Sequence, residues 1–78
     1  MPEDKQYEII IRIEGMHCGS CLNRIDAVIQ RLNPVHLDID IASKMAKIQV
    51  NDTASKDLII EAIKNIGYEP HYIGTLEL

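Results

Sequence analysis

The chain has 78 residues, 8 basic against 12 acidic, and a formal charge of −4; 46% of it is apolar and two residues are cysteine. One small domain is all this length supports, and because such a chain buries only about 60% of the surface its unfolded form exposes, a large enclosed active site is excluded. The acidic balance, with Lys and Arg scattered, excludes a phosphate-tracking nucleic-acid surface. No apolar run exceeds the three residues of Ile9-Ile10-Ile11, far short of the roughly 20 residues a membrane-spanning helix needs, so no membrane insertion is expected. With three tyrosines, no phenylalanine and no tryptophan, the core has to be aliphatic, drawn from abundant isoleucine. Two cysteines make no dense disulfide framework, and Met1-Pro2-Glu3-Asp4-Lys5 lacks the basic-then-apolar order of a signal peptide; a soluble, cytoplasmic protein is expected.

In chain order, Ile9, Ile11 and Ile13 alternate with Glu8, Arg12 and Glu14, which predicts a half-buried strand over Tyr7 to Glu14, ended by Gly15. After a loop over 16–20, Leu22, Ile25, Val28, Ile29 and Leu32 fall at helical spacing and predict a helix over residues 20–32. Asn33-Pro34 stops it. Val35, Leu37, Ile39 and Ile41 then alternate with His36, Asp38 and Asp40 as a second strand. Ala42-Ser43-Lys44 is the expected turn into a third strand carrying Ala46, Ile48 and Val50, paired with the second as a hairpin. Ser55 is an N-cap candidate for a second helix over 55–66, with Leu58, Ile59, Ala62, Ile63 and Ile66 on one face and Gly67 as its C-cap. Residues 70–76, with Tyr72 and Ile73, complete the set as a short last strand. The order β-α-β-β-α-β predicts an α+β, ferredoxin-like fold: a four-stranded antiparallel sheet with both helices on one face.

One segment stands outside this packing pattern, Gly15-Met16-His17-Cys18-Gly19-Ser20-Cys21, where a C-x-x-C opens the first helix. A helix start lowers thiol pKa through its unpaired N–H groups and positive dipole end, and thiolates are the species that bind soft metals. Gly19 is expected to give the loop backbone freedom, and Ser20 adds no charge against an incoming ion. Thiolates select Cu(I), zinc and iron–sulfur clusters, but clusters and structural zinc want four ligands. Two sulfurs satisfy Cu(I), which accepts near-linear coordination, and leave room for a partner's thiol, so transfer is a better fit than storage.

These residues carry a resemblance. Over about residues 7–74, taken as the core of a single domain spanning 1–78, the chain resembles the heavy-metal-associated domain family of copper chaperones and N-terminal metal-binding domains of copper-transporting P-type ATPases. The family's G-M-x-C-x-x-C after the first strand matches Gly15 to Cys21, and its G-Y or G-F after the second helix matches Gly67-Tyr68. The resemblance implies that Cys18 and Cys21 ligate Cu(I), that Met16 packs inward to anchor the loop, and that Tyr68 lies close to it. It also implies a carrier and not an enzyme, an apo monomer whose two-thiolate site can share copper in a bridged dimer, and a partner such as a copper-transporting ATPase or another C-x-x-C acceptor. One residue departs from the pattern: His17 stands where the family most often has threonine or serine, and as a third ligand it opens the way to Zn(II). The alternative readings are therefore an N-terminal domain cut from a copper-exporting ATPase and a Zn(II) or Hg(II) carrier using His17. Met1 and the compact ends favour a free-standing protein.

The remaining candidates read more plainly. His36 falls on the polar side of its strand, and Asp38, Asp40, Glu61 and Glu69 read as solvated faces. His71, three residues past Tyr68, is a weaker ligand candidate. A thioredoxin-like redox role lacks the larger fold and the tryptophan-bearing segment that such proteins carry.

Overall fold

The computed structural model describes residues 6–15, 19–52 and 55–78. The elements are β1 (Tyr7–Glu14), α1 (Gly19–Gln30), β2 (His36–Asp40), β3 (Met45–Val50), α2 (Ser55–Asn65) and β4 (Glu69–Glu77). They form one antiparallel sheet in the order β2-β3-β1-β4. This is the expected ferredoxin-like arrangement. Its central strands, β1 and β3, send Ile9, Ile11, Ile13, Ala46, Ile48 and Val50 to one face, where they meet Ile25 and Ile29 of α1 and Ile59 and Ile63 of α2 in a single cluster. Eight of these ten residues are isoleucines with no accessible surface, so the core is as aliphatic as the composition demands. Among the described residues no helix is long and apolar enough to cross a membrane.

Several boundaries differ from the expectation, each for a local reason. Helix α1 ends at Gln30 and not at Leu32, because the chain tightens there: the Leu32 N–H bonds to the Ile29 carbonyl at 2.9 Å and the Asn33 N–H to the Gln30 carbonyl at 3.1 Å. Asn33 then takes a φ of 54°, a left-handed conformation that asparagine tolerates, ahead of Pro34. Strand β2 is trimmed at both ends. Val35 is left exposed before it, and Ile41 opens the turn after it. Leu58, counted on the apolar face of α2, is 58% exposed, because Ile59 and Ile63 fill the centre of that face and leave it at the margin. Strand β4 is longer than predicted. Pro70 is accommodated because β4 is an edge strand, and a register shift between Ile10 and Ile11 leaves Ile73 as the extra residue, 55% exposed.

Two turns set the end of the sheet nearest the loop between β1 and α1. Between β2 and β3, the Asp40 carboxylate accepts from the Ala42 N–H at 3.1 Å and from the Ser43 hydroxyl at 3.0 Å, so this residue, read from sequence as merely solvated, holds the turn. Lys44 closes it at a φ of 61°, and its carbonyl accepts the Ile13 N–H at 2.8 Å, tying the turn to the last part of β1. Asp38 lies opposite Lys47, an exposed cross-strand pair of opposite charge.

The second turn is the cap of α2. Gly67, at a φ of 96°, donates to the Lys64 carbonyl at 3.0 Å, while the Tyr68 N–H reaches back to the Ile63 carbonyl at 3.4 Å. This pair of bonds is a Schellman motif with glycine in its left-handed position, and it fixes the direction in which Tyr68 leaves the helix.

Candidate metal site

The site is built where β1 hands over to α1. Gly15 turns the chain at a φ of 93°, a conformation that favours glycine, and α1 begins four residues later at Gly19. The backbone freedom expected of Gly19 is thus exercised at Gly15: Gly19 is an ordinary first helical residue with open space around it. Cys21 lies in the first turn of α1, half-buried, where the unpaired N–H groups and the dipole of the helix favour a thiolate. Its Sγ stands 3.9 Å from the Gly15 carbonyl oxygen, at the outer limit of a thiol hydrogen bond. Met16, His17 and Cys18 lie outside the described residues.

Tyr68 comes to the same place from the other side of the fold. A Cβ added at Gly15 would sit 3.4 Å from the Tyr68 Cδ1, so the ring lies against the Gly15 backbone. The phenol is held above its ordinary pKa, first by its hydrogen bond to the Cys21 side chain, then by partial burial and by the negative charge that the sulfur can carry; Arg24 opposes this through its charge and its own hydrogen bond. At neutral pH the Tyr68 hydroxyl therefore keeps its proton and donates toward the sulfur. Cys21, Tyr68 and Arg24 form one small cluster beside the Gly15 turn. Sequence reasoning missed Arg24; the signal was its spacing, three residues after Cys21 on the same helix, which puts the two side chains on neighbouring positions.

The other histidines stand apart. His36 is exposed on β2, and His71 is exposed on β4 with its Nε2 4.0 Å from a Glu69 carboxylate oxygen. Among the described residues no three His, Cys, Asp or Glu side chains gather as a metal-holding group. The chain's other thiol is Cys18, three positions before Cys21 in sequence.

Known proteins share this sequence pattern and fold. The sequence profile of the heavy-metal-associated domain matches residues 10–69. The chain is 32% identical to the copper transport protein ATOX1 of Canis lupus familiaris over 59 residues, covering 76% of this chain and 84% of that one. To the COP-associated protein of Helicobacter felis it is 30% identical over 63 residues, covering 80% and 96%. In three dimensions it is similar to the Cu(I)-loaded N-terminal domain of a potential copper-translocating P-type ATPase from Bacillus subtilis, with a TM-score of 0.81, 25% identity and 90% of each chain covered. Against several full-length cation- and copper-transporting ATPases, however, the chain spans only 7–8% of their length. The profile match over most of the chain, joined to the shared fold and these two small relatives, shows that the chain belongs to the heavy-metal-associated domain family.

Proposed function

We propose that this chain is a single carrier domain over residues 1–78 that binds Cu(I) between the thiolates of Cys18 and Cys21 and passes it to a partner bearing a similar cysteine pair, such as a copper-transporting P-type ATPase. The observation that carries the reading is Cys21, half-buried in the first turn of α1 with the Tyr68 hydroxyl at its sulfur, three residues after a second cysteine in a chain of this family. Two thiolates fit a soft monovalent ion that accepts low coordination. Met16 is assigned as the apolar anchor beneath the loop, and Tyr68 as the group that limits water access and orients Cys21.

Transfer on this reading is ligand exchange. A partner thiolate forms a third Cu–S bond, one cysteine of this chain releases the ion, and a second exchange completes the move; copper stays Cu(I) throughout. No organic bond is made or broken, so the protein acts as a carrier and not as an enzyme. The apo form is a monomer in the cytoplasm, and the loaded site is open enough to share copper with a second copy. The small relatives, covered over 84% and 96% of their length, favour a free-standing carrier. The similarity to an ATPase N-terminal domain favours a second reading, in which the same site receives copper as part of a pump. Zn(II), with His17 as an additional ligand, is the competing cargo.

Titrating the reduced chain with chelator-held Cu(I), beside Zn(II), tests the proposal. Uptake of one Cu(I) per monomer, lost in Cys18→Ser and in Cys21→Ser, supports it. Tighter zinc binding that depends on His17 would reassign the protein as a zinc carrier.

A further inference from the structure

Resting on the Cu(I) reading above, we infer that Arg24 is a specificity-determining residue of the site: its fixed positive charge, one helical turn from Cys21, favours a loaded state of charge −1 over a neutral one and so biases the cysteine pair toward a monovalent cargo. Positions 21 and 24, three residues apart, are neighbours on the surface of α1, and the Tyr68 ring lies against the Gly15 turn that leads into this helix. A guanidinium carries a fixed positive charge in proteins. That charge is also unanswered locally: among the described residues no carboxylate forms an ion pair with Arg24, and the first turn of α1 holds no acidic residue. Arg12, by contrast, faces Glu14 at 3.1 Å.

The charge count decides the direction. Two thiolates with Cu(I) carry −1; the same two thiolates with Zn(II) carry zero, and a neutral histidine added to the second complex changes nothing. The protonation state of the apo thiols is common to both reactions, so it cancels in the ratio of the two affinities. When Arg24 is replaced and the ligands are kept, the change in that ratio follows the potential that Arg24 places at the site. For charges roughly 8 Å apart in a half-solvated setting, with an effective dielectric of about 40–80, one unit of charge changes the ratio about 2- to 6-fold. Because Arg24 is exposed, salt weakens the effect.

The test measures Cu(I) and Zn(II) affinities of the reduced full chain, each against a chelator of known affinity, in wild type, Arg24→Lys, Arg24→Gln and Arg24→Glu. The control is Arg31→Gln, an exposed arginine just past the end of α1. The Cu(I):Zn(II) ratio is expected to stay within about 2-fold of wild type in the Lys variant, to fall about 2- to 6-fold in the Gln variant and to fall by about the square of that step in the Glu variant. These steps should shrink in about 0.5 M salt, and the Arg31 variant should match wild type. A ratio that is flat across the series overturns the inference, and so does a Lys variant as impaired as the Gln variant, because the guanidinium would then act by shape and not by charge. If the Glu variant fails to fold, the Lys and Gln pair still decides. Wild type that binds Cu(I) but shows a flat series refutes the role of Arg24 alone; wild type that takes up no Cu(I) refutes the carrier reading, and the inference falls with it.

Discussion

Alanine at Gly67 should destabilise the chain, whereas alanine at Gly19 should not. Gly67 caps α2 at a φ of 96°, and a Cβ there would meet nothing within 4 Å, so Gly67→Ala tests backbone conformation without steric interference. Forcing a side chain into left-handed space costs about 1–2 kcal/mol, and the alternative, unwinding the turn, gives up the two bonds from Gly67 and Tyr68 to the Lys64 and Ile63 carbonyls. In a domain of this size 1 kcal/mol corresponds to about 4–8 °C in Tm, so a fall of about 5–15 °C is expected. Gly67→Asn should fall between, since asparagine tolerates left-handed angles better than alanine does. Gly19 has an ordinary φ, open surroundings and a place at the start of α1, so Gly19→Ala should leave stability unchanged or raise it by up to about 1 kcal/mol. Thermal unfolding followed by far-UV circular dichroism, with urea titration as a check, measures both. A Gly67→Ala variant as stable as wild type would refute the Schellman cap and, with it, the account of how Tyr68 is aimed at Cys21.

Other substitutions probe the core and the site. Ile11, with no accessible surface at the centre of β1, should lose about 2–5 kcal/mol as alanine, a large share of the roughly 5–15 kcal/mol available to a small domain, and urea midpoints will show it. Because the phenol of Tyr68 is raised in the folded chain, its contribution to stability is complete below the ordinary tyrosine pKa of 10.0 and is lost as pH climbs through the raised value. Cys21→Ala removes the largest cause, so the Tyr68 ring signals followed by NMR should titrate at lower pH in that variant; unchanged titration would place the sulfur elsewhere. The Lys56 ammonium stands 4.5 Å from the centre of the Tyr72 ring, joining the start of α2 to β4, and Lys56→Ala should cost about 0.5–1 kcal/mol in the same urea experiment.

Most of the fold was legible because its signals were independent and agreed. The alternation of Ile9, Ile11 and Ile13 and of Ala46, Ile48 and Val50 set both central strands, and Ile25, Ile29, Ile59 and Ile63 set the helix faces that cover them. The errors fall where a pattern lacks three-dimensional context. Leu58 is as apolar as its neighbours, but a helical period does not say how wide the covered sector is. Residues 70–76 alternate poorly because β4 contains a bulge, and a bulge moves one residue out of phase without leaving a sequence mark. Asp40 reads as solvent-facing from its alternation, and it is exposed; that it also holds the β2–β3 turn depends on the backbone direction after it.

The candidate site divides in the same way. Cys21 was legible because it opens a helix, whose geometry is local, whereas Tyr68 was singled out only through the resemblance of Gly67-Tyr68 to the family's pattern. Gly15 was read only as the end of β1 and the start of the motif, and Arg24 was not singled out, because what matters at each is what the fold brings to it: a tyrosine ring 3.4 Å from where a Cβ would stand at Gly15, and a helix position one turn from Cys21. On the inference drawn for Arg24, two chains of this family with the same cysteine pair would differ in cargo preference through a residue outside the motif. The ligand pair fixes which class of ion can bind, and the charge packed beside it tilts the choice within that class. A comparison of Arg24→Glu with wild type isolates the second effect, because neither cysteine is touched.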